Sequence, residues 1–206
     1  KSTNRNNPRM ETDNLGLAKR KADLRTIIRA RLDKISAAER GAASVQLCAK
    51  LKEQSFFQAA AAILFFAPLP DEADVWPLLR ESMAAGKTAA LPQFDAGTQK
   101  YVARRVQNLQ DEIVTGQFRV REPKSGCAKI PLEKFDLVLV PGIAFDLRGN
   151  RIGRGRGFYD RLLQNIRGLK IGIAFDGQVV KEVPAEKPDV PVDFILTPTR
   201  CAEAAR

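Results

Sequence analysis

Residues 151–161 read Arg151-Ile152-Gly153-Arg154-Gly155-Arg156-Gly157-Phe158-Tyr159-Asp160-Arg161, with glycines and arginines alternating ahead of two aromatic residues and a carboxylate. Glycine has no Cβ and takes up positive φ at little cost, so backbone N–H groups around 153, 155 and 157 can approach an anion closely. The guanidinium forks of Arg151, Arg154 and Arg156 match phosphate oxygens in bidentate geometry. Asp160 adds a hard oxygen of the kind Mg²⁺ takes, usually one or two carboxylates with phosphate oxygens beside them. The chemistry this spacing could serve is polyphosphate binding with a divalent metal. A glycine-rich turn alone is more often structural; the interleaved cations and the trailing carboxylate reverse that balance. Two familiar phosphate loops are excluded. No G-K-[ST] is present for a Walker A loop, and Phe158 stands where a dinucleotide fingerprint needs its third glycine.

The rest of the chain narrows the chemistry further. There is no histidine among the 206 residues, which removes Ser-His and Cys-His catalysis, imidazole metal ligation and a histidine pH switch. Cys48, Cys127 and Cys201 are odd in number and far apart, so neither a disulfide framework nor a zinc site is expected and a reducing compartment is the simplest setting. Carboxylates, cations and backbone must do the work.

The loop needs elements to hold it. Leu24, Ile27, Ile28, Leu32 and Ile35 recur at mostly three- and four-residue steps, the spacing of one helix face. Ser36-Ala37-Ala38-Glu39 matches a capping box and opens a second helix through Val45, Leu47, Cys48 and Leu51. Beyond it, extended runs at 61–66, 88–91, 101–106, 137–140, 170–175 and 194–196 alternate with helical patterns at 75–85 and 158–166. Near-continuous apolar strands predict an α/β fold, a three-layer, mostly parallel open sheet with helices on both faces. The glycine-rich loop follows strand 137–140 and precedes helix 158–166, where open α/β sheets bind ligands. Residues 1–14 lack apolar periodicity and read as a flexible tail, a processed targeting remnant being the alternative, with a single domain over 15–206.

Segment 151–161 resembles the hallmark R-[LI]-G-x-G-x-G-[FY]-Y-D-R of the 5-formyltetrahydrofolate cyclo-ligases. The likeness extends to Val140-Pro141-Gly142-Ile143-Ala144-Phe145-Asp146, to Glu122-Pro123, to Asp189-Val190-Pro191-Val192-Asp193 and to Lys21-Ala22-Asp23-Leu24-Arg25, in family order from Lys21 to Thr197. It implies the isomerase/CoA-transferase-like fold, with ATP as co-substrate and Mg²⁺ as cofactor for closing 5-formyltetrahydrofolate to 5,10-methenyltetrahydrofolate. It assigns ATP contacts to Lys21, Arg25, Arg151, Ile152, Gly153, Arg154, Gly155, Arg156, Gly157, Phe158 and Tyr159. Substrate contacts fall to Arg25, Glu72, Arg154, Gly155, Arg156, Gly157 and Phe158, and metal ligation to Asp160 and Asp189. Where the family often has histidine before that last aspartate, this chain has Lys187-Pro188. The implied reaction starts with attack of the formyl oxygen on the γ-phosphate, then ring closure by N10 and loss of phosphate. Trp76, one helix turn past Glu72, reads as core.

The net charge is +10, of which +9 lies outside residues 1–14, so the folded body is basic. Such a surface attracts polyanions of any kind, ATP and a glutamylated folate among them. A family relative that lost the reaction and serves as a nucleic-acid-binding or scaffold module is one rival reading. An isomerase or CoA-transferase relative is another. No nucleic-acid motif and no aromatic stacking stripe is visible, and no second acid–base site can be located. The expected partners are small molecules, with no membrane and no specific nucleic acid, for a monomer or weak homodimer. No apolar run approaches a membrane span, which leaves a cytoplasmic setting, or an organelle if the tail is a processed remnant.

Overall fold

The structure is a computed structural model that describes residues 8–155, 157–186 and 189–205, with side chains from Leu15 onward. Helix α1 spans Pro8–Leu32, α2 Ala37–Lys52 and α3 Ser55–Ala59, ahead of strand β1 at Ala62–Leu64. Helix α4 (Trp76–Ala84) precedes β2 (Thr88–Asp95) and β3 (Lys100–Arg105), then α5 (Leu109–Glu112), β4 (Ile113–Thr115), β5 (Arg121–Pro123) and β6 (Lys129–Ile130). The second half runs β7 (Leu137–Pro141), β8 (Ala144–Asp146), β9 (Arg151–Ile152), α6 (Phe158–Leu163), β10 (Leu169–Ile173), β11 (Val179–Val180), β12 (Phe194–Leu196) and β13 (Cys201–Glu203).

Eight strands form the main sheet in the order β13-β12-β10-β7-β1-β2-β3-β6. Its five central strands are mutually parallel, and β13, β3 and β6 pair antiparallel at the two sides. The α/β architecture read from the sequence is thus present, with antiparallel margins that strand periodicity alone does not reveal.

Both faces are buried by alternate residues of the same strands. Ile63, Leu137, Leu139, Ile171, Ile173 and Leu196 join Ile28, Leu47, Leu51, Leu78 and Leu79 from α1, α2 and α4 in one core. Leu64, Val138, Val140 and Ile195 point the other way, toward Leu162, Leu163 and Ile166 in and just beyond α6. The side-chain period of two explains why these strands read as unbroken apolar runs.

Several elements depart from the sequence-based expectation, three of them near the loop or at the chain start. Helix α1 begins at Pro8, so residues 8–14 of the segment read as a tail are helical; residues 1–7 lie outside the described residues. Helix α6 stops at Leu163, three residues short of the predicted end. Between β7 and the glycines the chain inserts β8 and β9, which β11 joins from beyond β10 to make a small sheet, instead of running directly from strand into loop. Strands β8 and β9 are too short to show periodicity. The capping box at the start of α2 is present, with Ser36 N donating to Glu39 Oε2 over 2.8 Å and Glu39 N to Ser36 Oγ over 3.2 Å. Among the described residues no helix is long and apolar enough to cross a membrane.

Candidate functional site

The loop that joins β9 to α6 is held from below before it reaches the surface. Asp146, fully buried, accepts from the backbone N–H groups of Arg148, Asn150 and Val183 and from Asn150 Nδ2, all at 2.9–3.0 Å. A buried carboxylate is tolerated when donors surround it, and here the donors fix the β8–β9 turn. Gly142 packs so closely on Phe145 that a Cβ there would lie 2.6 Å from the ring. Strand β9 therefore delivers Arg151 and Ile152 from a rigid base, and both are buried.

Beyond Ile152 the backbone turns through two left-handed glycines, Gly155 at φ 99° and Gly157 at φ 62°. Gly157 is the N-cap of α6 and has no side chain to offer the helix, so Phe158, Tyr159 and Asp160 emerge from the first turn. The loop borders a cleft of about 490 Å³ at the carboxyl ends of β1 and β7, which Phe66, Ala67, Pro141 and Gly142 also line. This is where a parallel sheet places its ligands.

Of the sequence-predicted residues, Lys21, Arg25, Glu72, Arg151, Ile152, Gly153, Arg154, Gly155, Gly157, Phe158, Tyr159, Asp160 and Asp189 all border this one cleft. Arg156 lies outside the described residues. Lys21 and Arg25 sit one turn apart on α1, on the same side of the helix. Arg25 Nε donates to the carbonyl of Gly153 over 2.9 Å, while its terminal nitrogens have no protein hydrogen-bond partner among the described residues. Burial, with repulsion from Arg29 adding to it, lowers the Arg25 pKa from its ordinary value.

Most cleft charges are already paired. Lys21 Nζ reaches Asp189 Oδ2 at 2.8 Å and Glu186 Oε1 at 2.9 Å. Burial opposes its charge, yet the two carboxylates together outweigh that effect and raise its pKa. Arg154 bridges Asp71 and Glu72, and their attraction likewise overcomes desolvation and raises its pKa. Glu72 is lifted above the ordinary carboxylate range by burial, although Leu69 N and Arg154 both donate to it. Arg151, with 3% of its side chain exposed, binds Asp160 Oδ1 at 2.6 Å.

An aromatic wall completes the cleft, and the sequence reading did not assemble it. Phe158 meets Tyr101, Phe118 and Phe94 at ring-centroid distances of 5.4, 5.5 and 5.2 Å, and Tyr101 lies 6.4 Å from Tyr159. Tyr101 comes from β3 and Phe118 from the turn between β4 and β5. Phe94 and Tyr101 face each other in the antiparallel register of β2 and β3, which alternation alone does not fix, and nothing in the polar stretch around Phe118 signals its place. Glu122 and Glu186 also border the cleft and were not singled out as site residues. Tyr159 is densely surrounded, and burial raises its pKa well above 10, so the hydroxyl stays protonated. Trp76 is core as expected, 9% exposed, with the Arg121 guanidinium 4.5 Å above its ring.

Among the described residues, no group of three or more His, Cys, Asp or Glu side chains could hold a metal unaided. One or two aspartates in a cleft that mixes cations and carboxylates fit instead a magnesium ion that shares its shell with phosphate oxygens. Asp160 and Asp189, the expected ligands, both border the cleft, as do Glu72, Glu122 and Glu186.

The model of the 5-formyltetrahydrofolate cyclo-ligase family matches residues 18–198. The 5-formyltetrahydrofolate cyclo-ligase of Escherichia coli strain K12 is 34% identical over 148 residues, 68% of this chain and 80% of that protein. The Mus musculus enzyme of the same name is 26% identical over 187 residues, 85% of this chain and 92% of its own length. Among solved structures, the NMR structure of Aquifex aeolicus 5,10-methenyltetrahydrofolate synthetase superposes with a TM-score of 0.81 at 31% identity, covering 90% of this chain and 93% of that one. With the family model matching residues 18–198, nearly its whole length, the chain belongs to the 5-formyltetrahydrofolate cyclo-ligase family.

Proposed function

We propose that the chain, acting through one domain over residues 15–206, closes 5-formyltetrahydrofolate to 5,10-methenyltetrahydrofolate, with ATP as phosphoryl donor and Mg²⁺ as cofactor. The observation that carries this reading is the pairing, in one cleft, of a glycine and arginine loop with an aromatic wall and a buried carboxylate. A polyphosphate needs the first and a pterin the other two, since the pterin presents flat faces and N–H donors.

In the proposed reaction the formyl oxygen on N5 attacks the γ-phosphorus and ADP leaves. N10 then adds to the activated carbon, its proton passes to solvent, and phosphate departs with the former formyl oxygen. Ring closure without activation is slow because that oxygen is a poor leaving group. No nucleophilic side chain is needed, and the chain's own residues have two tasks, alignment and charge compensation. Arg25 and Lys21 bind phosphate from α1, and the backbone around Gly153, Gly155 and Gly157 with Arg154 holds it from the loop, Arg156 being assigned there by the family resemblance alone. Glu72 accepts from the pterin, while Phe158, Tyr159 and the rings beside them exclude water. Magnesium, held by Asp160 and Asp189, would supply further neutralisation of phosphoryl charge.

The test is methenyl product formation, followed by absorbance with 5-formyltetrahydrofolate, ATP and Mg²⁺, for the native chain and Asp160→Ala. The native chain is expected to form product and the variant to fall by roughly 100-fold or more, the scale of losing one well-placed electrostatic group. Equal rates would remove Asp160 from the site.

A further inference from the structure

We infer that Arg151 is a positioning residue that holds Asp160 for the metal, rather than a ligand of the nucleotide phosphates; this rests on the function proposed above. A phosphate ligand must present N–H groups to the cleft. Arg154 does, with 37% of its side chain exposed, whereas Arg151 exposes 3%. Glycines at 142 and 153 leave the room that this buried side chain fills. A Cβ on Gly142 would lie 3.0 Å from Arg151 Cγ, and one on Gly153 would lie 2.8 Å from a terminal nitrogen.

The direction of that buried group is set by the strand below it. Arg151 pairs with Phe145 across the β8–β9 ladder, next to the Asp146 hub, so its Cα has little freedom. From there one terminal nitrogen reaches Asp160 Oδ1 at 2.6 Å, and the guanidinium carbon lies 5.9 Å from the centre of the Tyr159 ring. Nε is buried without a partner. An unpaired buried donor is costly, and the bond to Asp160 is the one side-chain hydrogen bond this guanidinium makes among the described residues. The contact uses a single oxygen, and among the described residues Oδ2 of Asp160 has no protein donor, which leaves it for a cation. Carboxylate ligands of metals are commonly oriented by such outer partners.

Calorimetric titration with ATP, once in EDTA and once in Mg²⁺, separates the roles for the native chain, Arg151→Met, Arg151→Lys, Asp160→Asn and the Arg151→Met/Asp160→Asn double variant. The expected result is that Arg151→Met binds metal-free ATP within about twofold of the native chain, while the gain in affinity from Mg²⁺ shrinks by roughly 10–100-fold. Arg151→Lys should recover part of that gain, and in the Asp160→Asn background Arg151→Met should remove nothing more. Should Arg151→Met melt without a cooperative transition, the same comparison is made with Arg151→Lys, for which metal-free binding is again expected to be native-like and the Mg²⁺ gain reduced. Weakening of metal-free ATP binding to the same degree as Mg-ATP binding would make Arg151 a phosphate ligand and overturn the inference, as would an unchanged Mg²⁺ gain with only a lower Tm. Absence of ATP binding by the native chain under both conditions would instead reject the proposed function itself.

Discussion

Glu72 keeps 12% of its side chain exposed, and burial holds its pKa above the ordinary 4.5 although Leu69 and Arg154 both donate to it. The folded chain therefore takes up this proton at a higher pH than the unfolded chain does. Stability linked to the group is fully present below about pH 4.5 and is lost as pH rises through the folded-state value. Glu72→Gln, which cannot titrate, should remove that dependence. Plotted as native minus variant, thermal stability is expected to shift in favour of the native chain as pH is lowered toward 4.5 in a series of melting curves. A difference that is flat, or of opposite slope, would show that the Arg154 bridge outweighs burial. The same balance of terms resolves in favour of charge at Lys21, where two carboxylates at 2.8 and 2.9 Å act on one ammonium.

At the scale of elements, the turn into α6 depends on backbone that side chains resist. Gly157 has φ 62° and a Cβ there would meet only the flexible end of Arg161, at 3.5 Å, so Gly157→Ala isolates conformational strain from collision. It should cost about 1–2 kcal/mol and lower Tm by roughly 2–8 °C. Gly41→Ala, within α2 and with nothing within 4 Å, should act in the opposite sense and stabilise by roughly 0.5–1 kcal/mol. An unchanged Tm for Gly157→Ala would mean the left-handed entry to α6 is not kept in solution. Elements with a full period were legible in the sequence. Helix α2 carries its capping box and its buried stripe of Leu47, Cys48 and Leu51, and β7 its apolar run. Strands of two or three residues such as β8 and β9 were not, because a period cannot be read from so few positions. Ile27 shows the limit within a helix: its spacing suits the stripe, yet it is 50% exposed while Ile28 beside it is buried. The candidate site divides the same way. Its loop is contiguous and was visible, whereas the aromatic wall gathers residues 94, 101, 118, 158 and 159 through tertiary contacts with no local signature.

For the whole molecule the net charge of +10 bears on how substrates arrive more than on how they are held. Lys21, Arg151 and Arg154 are each neutralised in part by carboxylates inside the cleft, so attraction at a distance falls to the remaining surface cations. Between roughly 0.01 and 0.15 M salt the screening length drops from about 30 to about 8 Å. With dianionic or more highly charged substrates, kcat/KM should fall across that range while kcat changes little, as steering acts on encounter. A profile flat in salt would assign the charge to solubility instead. The central claim, that this cleft couples ATP cleavage to closure of a folate ring, is tested most directly by measuring both products in one reaction. One phosphate released for each methenyltetrahydrofolate formed, and neither product when ATP or the folate is left out, is the predicted result. Ring closure that proceeds without ATP, or phosphate release indifferent to the folate, would contradict the account.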